Sequence, residues 1–291
     1  MGHAYYHHPE DKQFSLDYVN SDPQDLVSQI VDYDGDVALK VMDYELDTQF
    51  YAVYTSRVGG GAVSEIELDF SDALADMTED NGTIVARLLE IYRALLSQNE
   101  EEEGMPVEAY KQIDIDELPE ALDEVSWKGT ATDVAGRLAS NLILKHALPN
   151  ANHRTAVALI QFYLRRINAD FSMPETTTEI ESDTYDWQAW VNEYITDSKR
   201  LLTVRRKNVL FRHLREFGAT TLERKHEVMI DLSEYDLDMY PHEAKVFYAE
   251  KHENLWIEFV EQAVERAGYP ELADTTGISK AEFAAKIQQL N

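Results

Sequence analysis

The chain has no cysteine among its 291 residues, which excludes a disulfide framework, a thiolate metal site and a cysteine nucleophile. No apolar run approaches the roughly 20 residues of a membrane-spanning helix. The N-terminus lacks the basic and apolar regions of a signal peptide, and Tyr6 stands where a myristoylation signal beginning at Gly2 would carry Ser or Thr. There is no internal repeat and no low-complexity tract. These absences predict a cytoplasmic protein without a membrane partner.

Positive charge is scarce as well. Twelve Lys and 14 Arg face 55 acidic residues, for a formal charge of −29. The acid is spread along almost the whole chain rather than gathered in one tail. This balance disfavours general binding to nucleic acid or anionic membranes. An even excess of this kind resembles proteins that live in concentrated salt, where a Debye length of about 3 Å at 1 M screens most of the self-repulsion. A merely acidic mesophilic protein is the alternative.

With 44% hydrophobic residues, the chain can bury one large core or two modest ones. From Val37 to Phe70 apolar and polar residues alternate, through Val41, Leu46, Phe50, Ala52 and Tyr54 and again through Ile66, Leu68 and Phe70. Gly59-Gly60-Gly61 interrupts the run as a turn would. Antiparallel strands are expected there. The pattern becomes helical from Ala73 to Leu96, and the acidic run Glu100 to Gly104 reads as a loop. Further helices are expected around Trp187 to Asp197, Arg200 to Phe217, His242 to Ala267 and Ser279 to Leu290, with a connector over Asp231 to Tyr240. The fold class is therefore mainly α. Three segments follow: 1–70 with strands, 71–217 as a helical core and 218–291 as a C-terminal helical extension. His3, His7 and His8 suggest either a metal site or an exposed, disordered terminus, and the terminus is the expectation.

The most informative stretch is His146-Ala-Leu-Pro-Asn-Ala-Asn-His-Arg-Thr155. Upstream, Val134, Leu138 and Leu142 recur every four residues; downstream, Ala156, Val157, Leu159, Ile160, Tyr163, Leu164 and Ile167 follow a wide helical face. Pro149 stops the first helix, and Asn150 is placed to cap the second. The short loop predicts an antiparallel helical hairpin. A helix N-terminus offers unbonded N–H groups and partial positive charge to a phosphate, and Arg154 adds a fork that fits phosphate oxygens. His146 has a side chain suited to proton transfer near neutrality. Together they point to phosphoryl or nucleotidyl transfer. Taken singly, His146 also fits a helix C-cap and Arg154 a surface ion pair.

This stretch resembles the signature of the Fic/Doc family, in the form His-x-Phe-x-Asp-Ala-Asn-Lys-Arg-Thr carried by its Doc-like branch. His146, Asn152 and Arg154 fall on matching positions, and Ala151 and Thr155 agree with that branch. The resemblance spans about residues 131–168. It implies a Fic/Doc-like helical bundle in which His146 deprotonates a Ser, Thr or Tyr hydroxyl of a target protein. That oxygen would attack a phosphate of ATP, or of another nucleotide, held by Asn150, Ala151, Asn152, His153 and Arg154. The product would be an AMP-protein or a phosphoprotein. Magnesium is the implied metal, as is a toxin role with an antitoxin as partner. Three positions depart from this form. Leu148 replaces Phe and His153 replaces Lys, while Val157, at the second Arg of the family's longer signature His-Pro-Phe-x-(Asp/Glu)-Gly-Asn-Gly-Arg-x-x-Arg, is as expected for the Doc-like branch though not for typical AMP-transferring members. Asn150 replaces the acidic residue that helps bind magnesium, so it would be a weak ligand, bringing an amide oxygen without charge. In this family a β-hairpin flap holds the target by strand addition. Ile113, Ile115 and Trp127 are candidates for it, although Leu118 to Leu122 looks helical and Trp127 fits a core equally well.

Lys199, Arg200, Arg205, Arg206, Lys207, Arg212, Arg215, Arg224 and Lys225 place nine of the 26 basic residues within 27 positions. Such a stripe could extend a nucleotide site, touch RNA, dock an acidic antitoxin, or simply neutralise carboxylates of the same chain. Three functions stay open: the transferase, a catalytically weakened Fic-like module that binds a nucleotide or partner, and an RNA-associated protein acting through residues 199–225. The charge gives a prediction independent of this choice. The thermal midpoint of unfolding should rise as salt increases from about 0.1 M, where screening reaches about 10 Å, to about 1 M. A flat or falling midpoint in scanning calorimetry would remove the halophile reading.

Overall fold

Alternating residues after Val37 and helical periodicity after Ser71 give the chain its two kinds of structure. The computed structural model describes residues 2–31, 33, 37–57, 69–103, 111–178 and 186–289. In chain order its first elements are β1 (His3–Tyr5), β2 (Ser15–Asn20), α1 (Pro23–Val31), β3 (Val37–Glu45), β4 (Gln49–Arg57), α2 (Ser71–Asp76) and α3 (Glu79–Glu103). Next come α4 (Glu117–Asp123), α5 (Ala131–Lys145), α6 (Asn152–Arg165), β5 (Thr177–Thr178) and β6 (Asp186–Trp187). The last are α7 (Ala189–Glu216), β7 (Thr221–Glu223), β8 (Met229–Asp231), α8 (Pro241–Arg266) and α9 (Lys280–Gln288). The fold is mainly helical with small sheets, as expected from the sequence. No helix among the described residues is long and apolar enough to cross a membrane.

Two compact units are present, each assembled from two stretches: 1–61 with 196–249, and 62–195 with 250–291. The consecutive division into 1–70, 71–217 and 218–291 does not carry over to them, because α7 and α8 each take the chain from one unit into the other.

In the first unit β4 lies between β2 and β3 and is antiparallel to both. Pairing of Tyr44 with Phe50 and Glu45 with Gln49 puts the hairpin turn at residues 46–48. The expected turn at Gly59-Gly60-Gly61 and the strand through Ile66 and Leu68 lie outside the described residues, while Phe70 directly precedes α2. Phe50, Ala52 and Tyr54 alternate along β4 and are fully buried with Leu16, Phe211, Leu222 and Tyr248. A second sheet joins β1, parallel, to β7, which runs antiparallel to β8.

The expectation of a disordered N-terminus is overturned. His3 pairs with Thr221, and His7 and His8 are each only 7% exposed. Three residues of strand carry almost no local signal, and their partner lies more than 200 positions away. A closed circuit of polar groups fixes the arrangement. The Tyr5 N–H donates to Tyr44 Oη (3.2 Å), Tyr44 donates to Tyr54 Oη (2.6 Å), and Tyr54 donates to the Tyr5 carbonyl (2.8 Å). Each buried hydroxyl thus both gives and accepts a hydrogen bond. Burial pushes both phenol pKa values above their ordinary range.

Two helix boundaries differ from expectation. Residues 100–103 continue α3 rather than forming a loop, since Glu is a good helix former despite its charge. The helices expected around 187–197 and 200–217 are one, α7, interrupted only at Lys207 (φ −123°, ψ 24°).

In the second unit Ile84, Leu88 and Tyr92 form the buried stripe of α3. α5 and α6 pack against each other. Gly136 lets α5 approach α8 closely: a Cβ there would lie 2.6 Å from the Ile257 Cα. Trp127 belongs to this interior. Its indole donates to the Leu122 carbonyl (3.2 Å) and its ring meets Tyr163 and Phe283. Among the described residues of 111–130 there is no flap strand; α4 occupies the middle, and Ile113 is buried.

His7 generates a pH prediction. Its Nδ1 accepts the Lys225 N–H at 3.1 Å, an arrangement that needs a neutral ring. Burial, then the charges of Arg224, Lys225, Lys12 and His226, lowers its pKa from 6.5 to about 3. Above pH 6.5 the ring is neutral whether the chain is folded or not. Between pH 6.5 and 3 only the unfolded chain takes the proton, so stability falls as pH falls, by up to about 1.4 kcal/mol per pH unit. Urea unfolding at pH 7 and pH 5 should show this loss in the native protein. His7→Asn, which keeps an acceptor but does not titrate, should lack that part of it. Parallel pH profiles for the two would overturn the assignment.

Candidate functional site

The loop joining α5 to α6 is held from both sides. α5 begins with a capping box that sequence reading overlooked, although Thr130-x-x-Asp133 spells it out: Thr130 Oγ1 accepts the Asp133 N–H (3.2 Å) and Asp133 Oδ2 accepts the Thr130 N–H (2.9 Å). At its other end Lys145 meets Glu117 and Glu120 of α4 and Glu124, the residue that caps that helix, at 3.5, 2.9 and 2.9 Å. Burial works against that charge, but hydrogen bonds to Glu124 and Glu120 and the field of Glu117 raise the ammonium pKa well above its ordinary value.

His146 ends α5 in the left-handed region (φ 52°, ψ 40°), its N–H bonded to the Leu142 carbonyl. Ala147, Leu148 and Pro149 are buried, and the Ala147 carbonyl accepts the Asp114 N–H at 2.9 Å. Segment 111–116 therefore does lie against this loop, though not as a strand. Ala151 is the second left-handed residue (φ 50°, ψ 20°) and precedes α6 as its N-cap, without a side-chain cap bond; Asn150 lies one residue earlier. The Ala151 carbonyl takes the Thr155 N–H. The N–H groups of 152–154 thus precede the first intrahelical bond.

Asn152 closes the loop. It is 5% exposed, its Oδ1 accepts the Leu148 N–H (3.3 Å), and its Nδ2 donates to the carbonyls of Leu148 (3.0 Å) and Asn150 (3.4 Å). Asn150 Oδ1 accepts the Tyr92 hydroxyl at 2.6 Å. His153 is half-buried, its ring 6.0 Å from that of Trp256. Trp256 donates to His252 Nε2 (3.3 Å), which leaves Nδ1 to donate to Ser140 Oγ (2.8 Å). The first turn of α6 is thereby tied to α8 and α5.

Arg154 is half-buried and lines a cleft of about 330 Å³, within the size range of small-molecule sites. Val157, Ala158 and Gln161 continue the same face of α6, and Leu95, the stretch from Met173 to Thr177 and Trp187 form the other walls. Gln161 Oε1 holds the following loop through the Met173 N–H (2.9 Å), and Gln188 Nε2 donates to the Thr177 carbonyl (3.1 Å). Trp187, Thr176 and Leu95 gave no sequence signal as site residues, because Leu95 belongs to α3 and the other two lie in β6 and just before its partner β5, both remote from the loop in sequence.

The loop does not fit a resident magnesium ion. Asn150 offers one neutral oxygen already engaged by Tyr92, and no group of three His, Cys, Asp or Glu suited to a metal occurs among the described residues.

The model of one family matches residues 1–291. The chain belongs to DUF8172, a family of unknown function. No curated protein and no solved structure matches it. The DUF8172 match spans both units, so the loop, the cleft and the sheets fall within one family unit of sequence.

The two left-handed residues of the loop make a stability prediction. An L-residue in this conformation costs roughly 1–2 kcal/mol, while glycine adds about 0.4–1 kcal/mol of unfolded-state freedom. Ala151→Gly should therefore stabilise the protein by about 0.5–1 kcal/mol, raising the midpoint by about 2 °C. A lowered midpoint in a thermal melt would contradict the loop geometry.

Proposed function

We propose that the unit containing α5 and α6 is a nucleotide-dependent transferase that modifies a Ser, Thr or Tyr hydroxyl of another protein. The observation that carries this reading is the placement of His146 and Arg154 at the two ends of one braced loop, with the cleft beside Arg154. A histidine outside regular helix, a helix start and an arginine supply a base, N–H donors and a fork for phosphate oxygens. The cleft receives the rest of the nucleotide, with the Trp187 ring as one wall.

In the reaction a ring nitrogen of His146 takes the proton of the target hydroxyl as its oxygen attacks phosphorus. Attack at the α-phosphate forms the new P–O bond and breaks the bond to pyrophosphate, leaving AMP on the target. Attack at the γ-phosphate leaves phosphate on the target and releases ADP. Arg154 and the start of α6 hold the charge of the phosphates throughout. A toxin role with an antitoxin partner rests on motif resemblance alone. The Asn150–Tyr92 hydrogen bond favours a second reading, a module that binds nucleotide and transfers slowly or not at all.

Labelled ATP separates these readings, with the label at the α- or the γ-phosphate telling AMP from phosphate transfer. His146→Ala should lower transfer by about 10²- to 10⁴-fold and leave nucleotide affinity nearly unchanged. Arg154→Ala should weaken nucleotide binding by roughly tenfold or more, through loss of charge-assisted hydrogen bonds. Asn150→Asp should raise activity. Equal transfer by His146→Ala would end the assignment of the base. Binding without transfer in both the native chain and Asn150→Asp would establish the binding module instead.

A further inference from the structure

Seven of the nine basic residues of 199–225 fall into two groups. Arg200 pairs with Asp197 (2.7 Å), Lys207 with Asp17 (2.8 Å) and Arg215 with Asp238 (2.7 Å), while Arg205 donates to the Lys245 carbonyl (3.0 Å). These four serve the chain's own acids and backbone. Lys199, Arg224 and Lys225 do not. Arg224 Nη1 donates to the Lys199 carbonyl at 2.9 Å, and its guanidinium lies 5.8 Å from the centre of the Tyr6 ring. Next to it, the Lys225 N–H is bound by His7. α7, the β7–β8 hairpin and the stretch after β1 thus bring three cations, with His7 and His226, to one place within one unit.

None of the three has a carboxylate within ion-pair distance among the described residues. Asp11 acts on Lys225 but is bound to Lys40 at 2.9 Å, and the exposed Glu227 shares the hairpin tip. In a chain with 55 acidic residues, three half-buried cations without an acid are the opposite of what composition gives. Moreover, Arg224 Nε is buried without a hydrogen-bond partner, although a buried donor is normally satisfied. Burial lowers the pKa values of Lys199 and Arg224, with the Arg224 charge adding to the effect at Lys199 and the Arg206 charge at Arg224, and burial with the Arg224 charge lowers that of Lys225. An incoming anion would relieve both effects.

We propose that this cluster binds a compact anion of the phosphate class, with Arg224 and Lys225 as its main donors. A single phosphate suits it better than a nucleic acid. A polyanion would meet a net charge of −29, and of the neighbouring cations Arg200, Lys207 and Arg215 are already matched with Asp197, Asp17 and Asp238. The proposal stands apart from the reading of His146, since its residues all belong to the other unit.

The test is calorimetric titration of the full chain with inorganic phosphate at constant chloride, repeated with O-phosphoserine to distinguish free phosphate from a phosphorylated side chain. Saturable one-site binding is expected, weakened roughly tenfold or more by Arg224→Gln and by Lys225→Gln, and unchanged by Arg200→Gln. Should Arg224→Gln fail to fold, the better exposed Lys225→Gln decides. Non-saturating heats, or equal binding by the variants, would mean an adventitious ion only and overturn the site. Tighter binding of an RNA oligonucleotide, falling steeply with salt, would overturn the choice of a compact anion.

Discussion

A shortage of cations governs this molecule. With 26 basic side chains against 55 acidic ones, each ammonium or guanidinium that folds inward has a choice of carboxylates, and where it goes reports a structural need. Lys145 gathers three glutamates at the end of α5. Lys40 and Lys207 tie strands and helix of the other unit to Asp11 and Asp17. Exposed pairs of this kind are individually weak, but Lys145 is the last residue of α5 and Lys207 the one position where α7 departs from helical angles. In such a background Arg154 beside a cleft, and Arg224 without a carboxylate, stand out more than they would in a neutral protein.

Much of the helical unit was legible in the sequence because its signals are local. Val134, Leu138 and Leu142 mark the buried stripe of α5, and Pro149 marks the break before α6. What could not be read was whatever depends on distant partners or on unusual backbone. His146 and Ala151 adopt left-handed angles, which the sequence would announce only through Gly or Asn. β1 is too short to carry periodicity. The acidic end of α3 looked like a solvated loop, since charge hides helix propensity from a pattern based on hydrophobicity.

The candidate site was legible in part for the same reason. His146, Asn150, Ala151, Asn152, His153 and Arg154 are contiguous, so one string shows them all. Their division of labour was not visible. Asn152 braces the loop backbone and Asn150 receives Tyr92, while Arg154 faces the cleft. Side chains of one type, two residues apart, thus differ in what they hold. Only packing decides that.

The pairing of β1 with β7 bears on how the chain reaches this structure. Residues 3–5 find their strand partner at 221–223, and the second unit likewise needs 250–291 to complete the core built by 62–195. Neither unit can close while only the first two hundred residues have left a ribosome. Closing such distant contacts is slow, and unpaired strand edges invite association in the meantime. During that interval the acidic excess acts as a solubiliser: nascent chains repel one another before either core exists to bury their apolar surface.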